Sequence, residues 1–300
     1  MKIGIDVGGS HIGLGVLENK KLIAKKEKDY AVLEEDMSII VIKTIKELIQ
    51  ELINENIIEK ESIESIGIAF PGTVSKDSVI KAENLGIENL NIVNELQTEY
   101  NCKIFLENDA KCAAIAEKEF GSLKNYTDCL FIIIGTGVGG AVFLEGKMLK
   151  PKRYSAFEIG HMAIQKDGIQ CNCGRKGCFE TYTSIKRLKQ KIQKEFNLES
   201  IDGKVIREFM LQNMDNKKLN NILNTYIEYL AMGIANLINI FEPEVISIGG
   251  SFVHYKEILL DRLENKLKEK TELYNKSDIP KIVIAELKND AGIIGAALQF

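Results

Sequence analysis

The chain has 300 residues, of which 45% are apolar and 27% charged, and its formal net charge at pH 7 is −4. This composition is typical of a globular protein long enough for two domains, and no basic tract supports binding to nucleic acid. No apolar run approaches the roughly 18 residues of a membrane span, and the N-terminus has the pattern of a strand and not of a leader. We therefore expect a cytoplasmic protein whose scattered cysteines (Cys102, Cys112 and Cys129) are reduced.

The first part of the chain predicts a meander of three strands followed by alternating helices and strands. Apolar residues alternate in the strands and recur at helical spacing in the long helix. Asn108-Asp109 opens a helix rich in alanine, and Gly121 ends it. The predicted elements are strands at 2–8, 12–18 and 22–28, a helix at 34–56, strands at 65–70 and 104–107, and a helix at 109–120.

The second part repeats this plan, because a strand, a glycine-rich turn and another strand again come first. This weak internal repeat suggests two related halves and a mixed α/β architecture. We expect a small domain of residues 1–117, completed by a C-terminal helix at about 288–300, and a large domain of residues 118–287. The predicted elements are strands at 129–134 and 141–144, a return strand starting at Met148, helices at 183–196, 203–213 and 217–241, a strand at 245–248, a helix at 255–273, a strand at 281–286 and a helix at 290–298.

Three glycine-rich turns each follow an apolar strand. Glycine lets backbone N–H groups approach phosphate oxygens, where a side chain would collide. The second turn resembles part of a dinucleotide fingerprint, but a strand follows it where that fingerprint needs a helix, and no P-loop sequence occurs. One such turn alone is more often a hairpin, whereas three indicate a nucleotide triphosphate held between two domains. The turns are Asp6–Ser10, Gly135–Gly140 and Gly249–Ser251.

A stretch from Glu158 to Glu180 concentrates residues that bind metals. Three thiols separated by glycines in a tight turn are typical of a zinc knuckle, and a histidine upstream supplies the fourth ligand of a closed tetrahedral site. A cluster of reduced core thiols is the alternative. If metal binds here, the carboxylates at the two ends of the stretch are held near one another. The candidate ligands are His161, Cys171, Cys173 and Cys178.

Four carboxylates are candidates for chemistry, and each has a purely structural alternative. Asp6 follows a strand and can hold Mg²⁺ against phosphates, or it simply forms the turn. Asp109 can accept a hydroxyl proton as that oxygen attacks a γ-phosphate, or it stabilises the helix start; the two roles are compatible because Asn108 can be the cap. Glu158 and Glu180 can accept hydrogen bonds from sugar hydroxyls, or they are surface carboxylates.

Taken together, these motifs closely resemble the ROK family of sugar kinases and repressors. The most specific part is Cys171-x-Cys173-Gly174-x-x-Gly177-Cys178-x-Glu180, preceded by Glu158-x-Gly160-His161, and the similarity covers essentially the whole chain. The resemblance implies a two-domain actin-like ATPase (ribonuclease H-like) fold, which is α/β with mixed sheets, and places ATP and a sugar in the cleft between the domains.

The resemblance also implies a role for each motif. Asp109 is implied as the catalytic base, and zinc as a structural ion whose His161 ligand turns its second ring nitrogen toward a sugar hydroxyl. Mg²⁺ is expected with ATP, and a homodimer is expected from the resemblance. The residues implied for ATP and its phosphates are Asp6, Gly8, Gly9, Ser10, His11, Gly135, Thr136, Gly137, Gly139 and Gly140, with Gly249 and Gly250 beside the adenosine. The residues implied for the sugar are Gly72, Asn84, Asn108, Asp109, Glu158, His161 and Glu180.

The sequence departs from the family pattern at three places. Ser10-His11 stands where Thr-Lys is usual, so a fixed positive charge becomes a mostly neutral imidazole. Phe157 stands where glycine commonly precedes the sugar-binding glutamate, and a bulky ring there reshapes which sugar fits. Ala141 stands where a third glycine is frequent. None of these departures removes a catalytic group.

The resemblance therefore implies an ATP-dependent hexokinase in which Asp109 takes the proton of the sugar's 6-hydroxyl. Glucose is the expected substrate, because the Gly-His-Met and Cys-x-Cys-Gly pattern is most similar to glucokinase-type members. An N-acetylhexosamine kinase, especially for N-acetylmannosamine, is the alternative. Two rivals belong to other classes. A sugar-responsive DNA-binding repressor is disfavoured because only five residues precede Asp6, and a non-catalytic sugar-binding module is disfavoured by the presence of both aspartates.

Overall fold

The structure is a computed structural model that describes residues 1–30, 36–150, 157–270 and 279–299. Its backbone forms two compact units. Unit 1 contains Met1–Lys124, Met148–Phe157 and Glu286–Phe300, and unit 2 contains Asn125–Lys147 and Glu158–Ala285. Among the described residues, no helix combines the length and the apolar character needed to cross a membrane.

Unit 1 begins with the predicted meander and continues with helices and short strands. Its elements up to the first crossing into unit 2 are β1 (Lys2–Val7), β2 (His11–Glu18), β3 (Lys21–Asp29), α1 (Met37–Asn54), β4 (Ser65–Phe70), β5 (Thr73–Val74), β6 (Val79–Ala82), β7 (Ile87–Leu90), α2 (Ile92–Gln97), β8 (Lys103–Asn108) and α3 (Asp109–Phe120).

Unit 2 contains the second meander and most of the helices, and the chain then returns to unit 1 for a last helix. The elements are β9 (Cys129–Ile134), β10 (Val138–Leu144), β11 (Lys147–Met148), α4 (Glu180–Thr183), α5 (Ile185–Phe196), α6 (Gly203–Gln212), α7 (Lys217–Phe241), β12 (Val245–Gly249), α8 (Lys256–Lys270), β13 (Lys281–Ile284) and, in unit 1, α9 (Ala291–Ala297). The meander of β1 to β3 and the helix predicted at 217–241 are confirmed.

The main sheet of unit 1 has the order β3-β2-β1-β4-β8. The first three strands are antiparallel, whereas β1, β4 and β8 run parallel. In this register Asp6 lies opposite Ala69, and Ala69 lies opposite Glu107. Because parallel strands end at one edge of a sheet, Asp6 and the Asn108–Asp109 junction lie at the same edge of unit 1.

Helix α9 packs on this sheet with almost no side chain between the two backbones. A Cβ atom placed on Gly4 would lie 1.9 Å from the carbonyl oxygen of Ile293, and one on Gly67 would lie 1.8 Å from that of Ala296. These distances are far below a van der Waals contact, so only glycine fits at both strand positions. The apolar residues of α9 thereby complete the core beneath β1 and β4.

A fully buried carboxylate, that of Glu117 on α3, joins two distant segments of unit 1. Its Oε2 accepts hydrogen bonds from the N–H and the hydroxyl of Ser122, both at 2.8 Å. Its Oε1 accepts from the N–H groups of Glu286 (2.8 Å) and Leu287 (2.7 Å). The four donors compensate the desolvation of the charge. Glu117 therefore fixes the end of α3 to the segment where the chain re-enters unit 1.

The main sheet of unit 2 has the order β11-β10-β9-β12-β13, in which β9, β12 and β13 run parallel. The predicted turn at 135–140 is wrong in its second half: Val138–Gly140 belong to β10, because they pair with Ile132–Ile134 of β9. The helix predicted at 183–196 is confirmed as α5, which begins at Ile185 after the side chain of Ser184 caps it, and the short helix α4 just before it was not predicted.

Other differences come from short or polar segments. The three-stranded sheet of β5, β6 and β7 and the short helix α2 were not predicted, because their apolar residues are too few to show a period. The residues predicted to begin the first long helix, 34–35, and those predicted to end α8, 271–273, lie outside the described residues.

Candidate functional site

The first glycine turn lies between β1 and β2 and is closed by backbone hydrogen bonds. The N–H of Gly8 donates to the carbonyl of His11 at 2.9 Å. A Cβ atom on Gly8 would lie 3.1 Å from Cε1 of His11, so the imidazole packs directly against the turn. The residue that departs from the family pattern therefore lies against Gly8, while Gly9 and Ser10 of the same turn are exposed.

Tyr30, which the sequence did not single out, holds this turn from the end of β3. Its N–H donates to the carbonyl of Ser10 at 2.9 Å, and its hydroxyl donates to the carbonyl of Gly8. Burial raises the pKa of Tyr30 to about 12, so the hydroxyl keeps its proton at neutral pH and remains a donor. A tyrosine at the end of an exposed strand gives no sequence signal for this role.

Asp6 is a carboxylate in an unfavourable environment for charge. Burial raises its pKa to about 7, the negative charge of Asp109 adds to the increase, and the positive charge of Lys25 opposes it. The first turn of α9 packs against it, because a Cβ atom on Gly292 would lie 2.2 Å from Oδ2 of Asp6. A bound cation would relieve this penalty, so the residue fits the predicted role of facing Mg²⁺.

At the junction between β8 and α3, Asn108 caps the helix and Asp109 is the candidate for chemistry. The side chain of Asn108 caps α3 by accepting from the N–H of Lys111 at 3.3 Å, and its Nδ2 donates to the carbonyl of Gly72 at 3.1 Å. Asp109 is the first residue of the helix, and its Oδ1 accepts from the N–H of Ala110 at 2.8 Å. The cap is therefore Asn108, as the sequence allowed, and the carboxylate of Asp109 is not needed for it.

Three of the residues predicted for the sugar in unit 1 thus lie together, namely Gly72, Asn108 and Asp109. Gly72 has φ +92°, a conformation that favours glycine, and a Cβ atom there would lie 2.3 Å from the carbonyl oxygen of Lys81. Asn84 is exposed on the 3₁₀ helix Glu83–Leu85. Among the described residues, no hydrogen bond joins Asn84 to the other three.

The second glycine turn, in unit 2, is held in place by Glu180, which closely follows the cysteine knuckle in sequence. Oε2 of Glu180 accepts from the N–H of Val138 at 3.0 Å. A Cβ atom on Gly137 would lie 2.3 Å from the same oxygen, so a side chain there would displace the carboxylate. The N–H of Lys186, at the start of α5, donates to the carbonyl of Gly135 at 3.2 Å. Glu180, predicted only as a sugar ligand, therefore also holds this turn.

The third turn lies beside the second at one edge of the unit 2 sheet. Gly249 pairs with Ile133 of β9. Gly250 has φ +73°, and a Cβ atom there would lie 2.8 Å from the carbonyl oxygen of Ile134. The fold thus brings together the two glycine turns predicted for the phosphates and the adenosine in unit 2.

The cysteine knuckle brings its four candidate ligands into one cluster. The ligand atoms of His161, Cys171, Cys173 and Cys178 all lie within 4.8 Å of one another. Nδ1 of His161 is 3.7 Å from Sγ of Cys171, and Sγ of Cys173 is 3.6 Å from Sγ of Cys178. Zinc bonded tetrahedrally to sulfur at about 2.3 Å requires sulfur atoms roughly 3.8 Å apart. The cluster therefore has the donors and the size of a closed site for a metal ion such as zinc.

The backbone around the knuckle is built to hold this geometry. The N–H of Cys171 donates to the carbonyl of Arg175 at 2.8 Å, and the N–H of Gly174 donates to the carbonyl of Cys171 at 3.1 Å. Upstream, Gly160 touches β10, since a Cβ atom there would lie 2.0 Å from the carbonyl oxygen of Val138. His161, which ends the 3₁₀ helix Ile159–His161, is thereby fixed against the strand that carries the second turn.

Phe157 adopts a backbone conformation that explains the usual glycine at this position. Its φ is +80°, in the left-handed region that a bulky side chain rarely occupies. Such a residue stores about 1 to 2 kcal/mol of strain relative to an ordinary conformation. The next residue, Glu158, is exposed, and its carbonyl accepts from the N–H of His161 at 3.0 Å.

Comparison with known proteins extends over nearly the whole chain. The family model that matches is that of the ROK family, over residues 2–300. A glucokinase from Thermotoga maritima is 29% identical over 98% of this chain and 95% of its own length. A xylose repressor from Bacillus subtilis is 28% identical over 88% of this chain and 68% of its own length. A solved ROK hexokinase from Thermus thermophilus has a TM-score of 0.83 at 26% identity, covering 99% of this chain and 98% of that one.

We expect purified protein to carry about one zinc ion per chain, held by the knuckle. Cys173→Ser should lose most of this zinc, because the exposed thiol is a ligand and not part of the core. Plasma mass spectrometry after dialysis against metal-free buffer measures the content. Cys102→Ser, at a partly buried thiol outside the knuckle, should keep the ion. Folded wild-type protein that holds no zinc would contradict the assignment.

The raised pKa of Asp6 predicts a pH-dependent difference in stability between wild-type protein and Asp6→Asn. In the folded state the pKa of Asp6 is about 7, and the ordinary pKa of an aspartate is 3.8, so the folded state binds more protons than the unfolded state between these pH values. The free energy of unfolding of the wild type should therefore fall relative to that of the variant by about 1 kcal/mol per pH unit through this window, and level off above it.

This prediction is measured by urea denaturation from pH 4 to pH 8 in magnesium-free buffer. Asp109→Asn serves as the matched variant, because removing the neighbouring charge lowers the folded-state pKa of Asp6 and so brings the upper end of the window to lower pH. A stability difference between wild type and Asp6→Asn that stays constant across the range would show that Asp6 ionises normally.

Proposed function

Because the chain belongs to the ROK family, we propose that it is an ATP-dependent kinase that phosphorylates the 6-hydroxyl of a hexose, with glucose as the first substrate. Its fold is the actin-like ATPase fold expected from the sequence. The observation that carries the proposal is the placement of two carboxylates, Asp6 and Asp109, at the same edge of the unit 1 sheet.

Asp109 is the proposed general base. It directly follows β8, and the helix cap is Asn108, so the role of base does not compete with the capping of α3. It would accept the proton of the 6-hydroxyl as that oxygen attacks the γ-phosphate in line. Because phosphoryl transfer asks little covalent chemistry of a protein, holding the hydroxyl and the phosphate in line supplies most of the rate enhancement.

The glycine turns are the proposed phosphate-binding elements. In unit 1 the turn from Gly8 to His11 exposes backbone that Tyr30 holds in place. In unit 2 the turn at 135–137 is held by Glu180, and Gly249-Gly250 lies beside it. Mg²⁺ bound with ATP would neutralise phosphate charge, and Asp6 is the carboxylate proposed to face it.

The proposal assigns two residues of unit 2, Glu180 and His161, to the sugar. In unit 2, Glu180 uses Oε2 for the N–H of Val138, so its Oε1 is assigned to a sugar hydroxyl. Nδ1 of His161 faces Cys171, so Nε2 is assigned to a second hydroxyl. The metal of the knuckle is proposed to be structural zinc, because four protein side chains fill a tetrahedral shell and leave no position for substrate.

The second candidate function is that of a sugar-responsive repressor. The 28% identity to the xylose repressor of Bacillus subtilis over 88% of this chain supports it. The two candidates differ in a measurable way, because a repressor binds sugar without consuming ATP.

The kinase proposal predicts sugar-dependent release of ADP. A coupled assay with ATP and Mg²⁺ tests glucose, mannose, fructose, allose, N-acetylglucosamine and N-acetylmannosamine in parallel. Glucose is expected to give the highest kcat/KM. Turnover only with an N-acetylated sugar would replace glucose by the alternative substrate, and zinc-replete protein that turns over none of the six would contradict the kinase.

Asp109→Asn is expected to lower kcat by about 100-fold to 10,000-fold, because the amide cannot accept the hydroxyl proton. Sugar binding, measured by calorimetry, should weaken much less, since the amide keeps the shape and most hydrogen bonds of the side chain. Asp77→Asn, at an exposed carboxylate of the same unit, is the matched control. Equal turnover by Asp109→Asn and wild type would exclude Asp109 as the base.

A further inference from the structure

A groove in unit 2 lies away from the glycine turns, between α5 and the first half of α7. We call it the α5–α7 groove; its volume is about 790 Å³, and α4 closes one end through Thr181 and Tyr182. This volume is within the range of pockets that take small molecules, roughly 300 to 1,000 Å³. None of the roles proposed above uses it.

The walls of the groove carry an excess of positive charge in a chain whose net charge is −4. Among the described residues that line it are four cations, Arg187, Lys191, Lys194 and Lys218, and one carboxylate, Glu195. Lys191 and Lys218 both pair with Glu195, at 2.9 Å and 3.1 Å. Among the described residues, Arg187 and Lys194 form no ion pair. An anion is the ligand that this wall favours.

The floor of the groove is aromatic and apolar. The rings of Tyr182 and Tyr229 pack with centroids 4.4 Å apart, and Leu188 and Ile222 lie beside them in the lining. The hydroxyl of Tyr182 accepts from the N–H of Ile169 at 2.7 Å, which fixes this ring against the knuckle loop. A ligand in the groove therefore meets a rigid apolar floor as well as cations.

The groove is separate from the proposed nucleotide site, although the same short helix serves both. Glu180, the first residue of α4, turns toward Val138 and the second glycine turn. Tyr182, two residues later, turns into the groove. The two side chains leave α4 in different directions, so a ligand can occupy the groove while the turn holds phosphate.

We propose that the α5–α7 groove binds a small organic phosphate, that is, a phosphate ester with a planar or apolar body. The phosphate would meet the guanidinium of Arg187 and the ammonium of Lys194, since arginine pairs two N–H groups with phosphate oxygens and lysine adds a point charge. The body of the ligand would lie on Tyr182 and Tyr229. This site goes beyond the proposed kinase activity and does not depend on it.

The test is calorimetric titration of the full chain with phenyl phosphate, in the presence of zinc. Phenol and inorganic phosphate are titrated separately, because phenol carries only the aromatic body and inorganic phosphate only the anionic group. Phenyl phosphate is expected to bind more tightly than either. Arg187→Gln combined with Lys194→Gln should weaken its binding at least about tenfold.

The matched control is Lys189→Gln combined with Lys204→Gln, which removes two charges from α5 and α6 outside the groove and should leave the affinity for phenyl phosphate unchanged. Circular dichroism establishes that both double variants fold. The proposal is overturned by absence of binding, or by binding that Arg187→Gln with Lys194→Gln weakens no more than the control double variant does, since the ligand would then lie at another site. A dimer in sedimentation that Arg187→Gln with Lys194→Gln dissociates would also overturn it, since the groove would then be an interface between copies.

Discussion

One hydrogen bond, from the N–H of Val138 to Oε2 of Glu180, determines the arrangement of the candidate site in unit 2. It joins the end of the cysteine knuckle to the start of β10, and it leaves room at position 137 for glycine alone. A carboxylate that accepts from a backbone N–H is a strong charge-assisted interaction. The position of the glycine turn therefore depends on the fold of the knuckle, whose last cysteine, Cys178, lies two residues before Glu180.

Much of this arrangement could be predicted from the sequence, because its signals are local. Apolar runs between glycines predict the strands, and the spacing of three cysteines and a histidine predicts the cluster of candidate metal ligands. The roles of Tyr30 and Glu117, and the second role of Glu180, could not be predicted. Each depends on a contact between segments 22 to 170 residues apart, and a single tyrosine or glutamate carries no trace of its distant partner.

The glycines show where local signals mislead. The glycines from Gly135 to Gly140 predict a turn, yet Gly139 and Gly140 lie in the ladder between β9 and β10. At Gly140 the reason is packing, because a Cβ atom would lie 2.7 Å from the side chain of Ile159. Phe157 is the opposite case, since the backbone has the conformation of a glycine while the side chain is large. This strained backbone lies just before Glu158.

Glu117 has a consequence for the order in which the chain folds during its synthesis on the ribosome. Its Oε1 meets its partners only at residues 286 and 287, and the sheet of unit 1 receives α9 later still. Unit 2 is complete by Ala285, so all of it has been translated before unit 1 can be finished. Until these residues have been synthesised, the carboxylate of Glu117 lacks two of its hydrogen-bond donors, and the sheet surface at Gly4 and Gly67 is not covered by α9. The incomplete unit 1 is then the kind of partly folded species on which chaperones act.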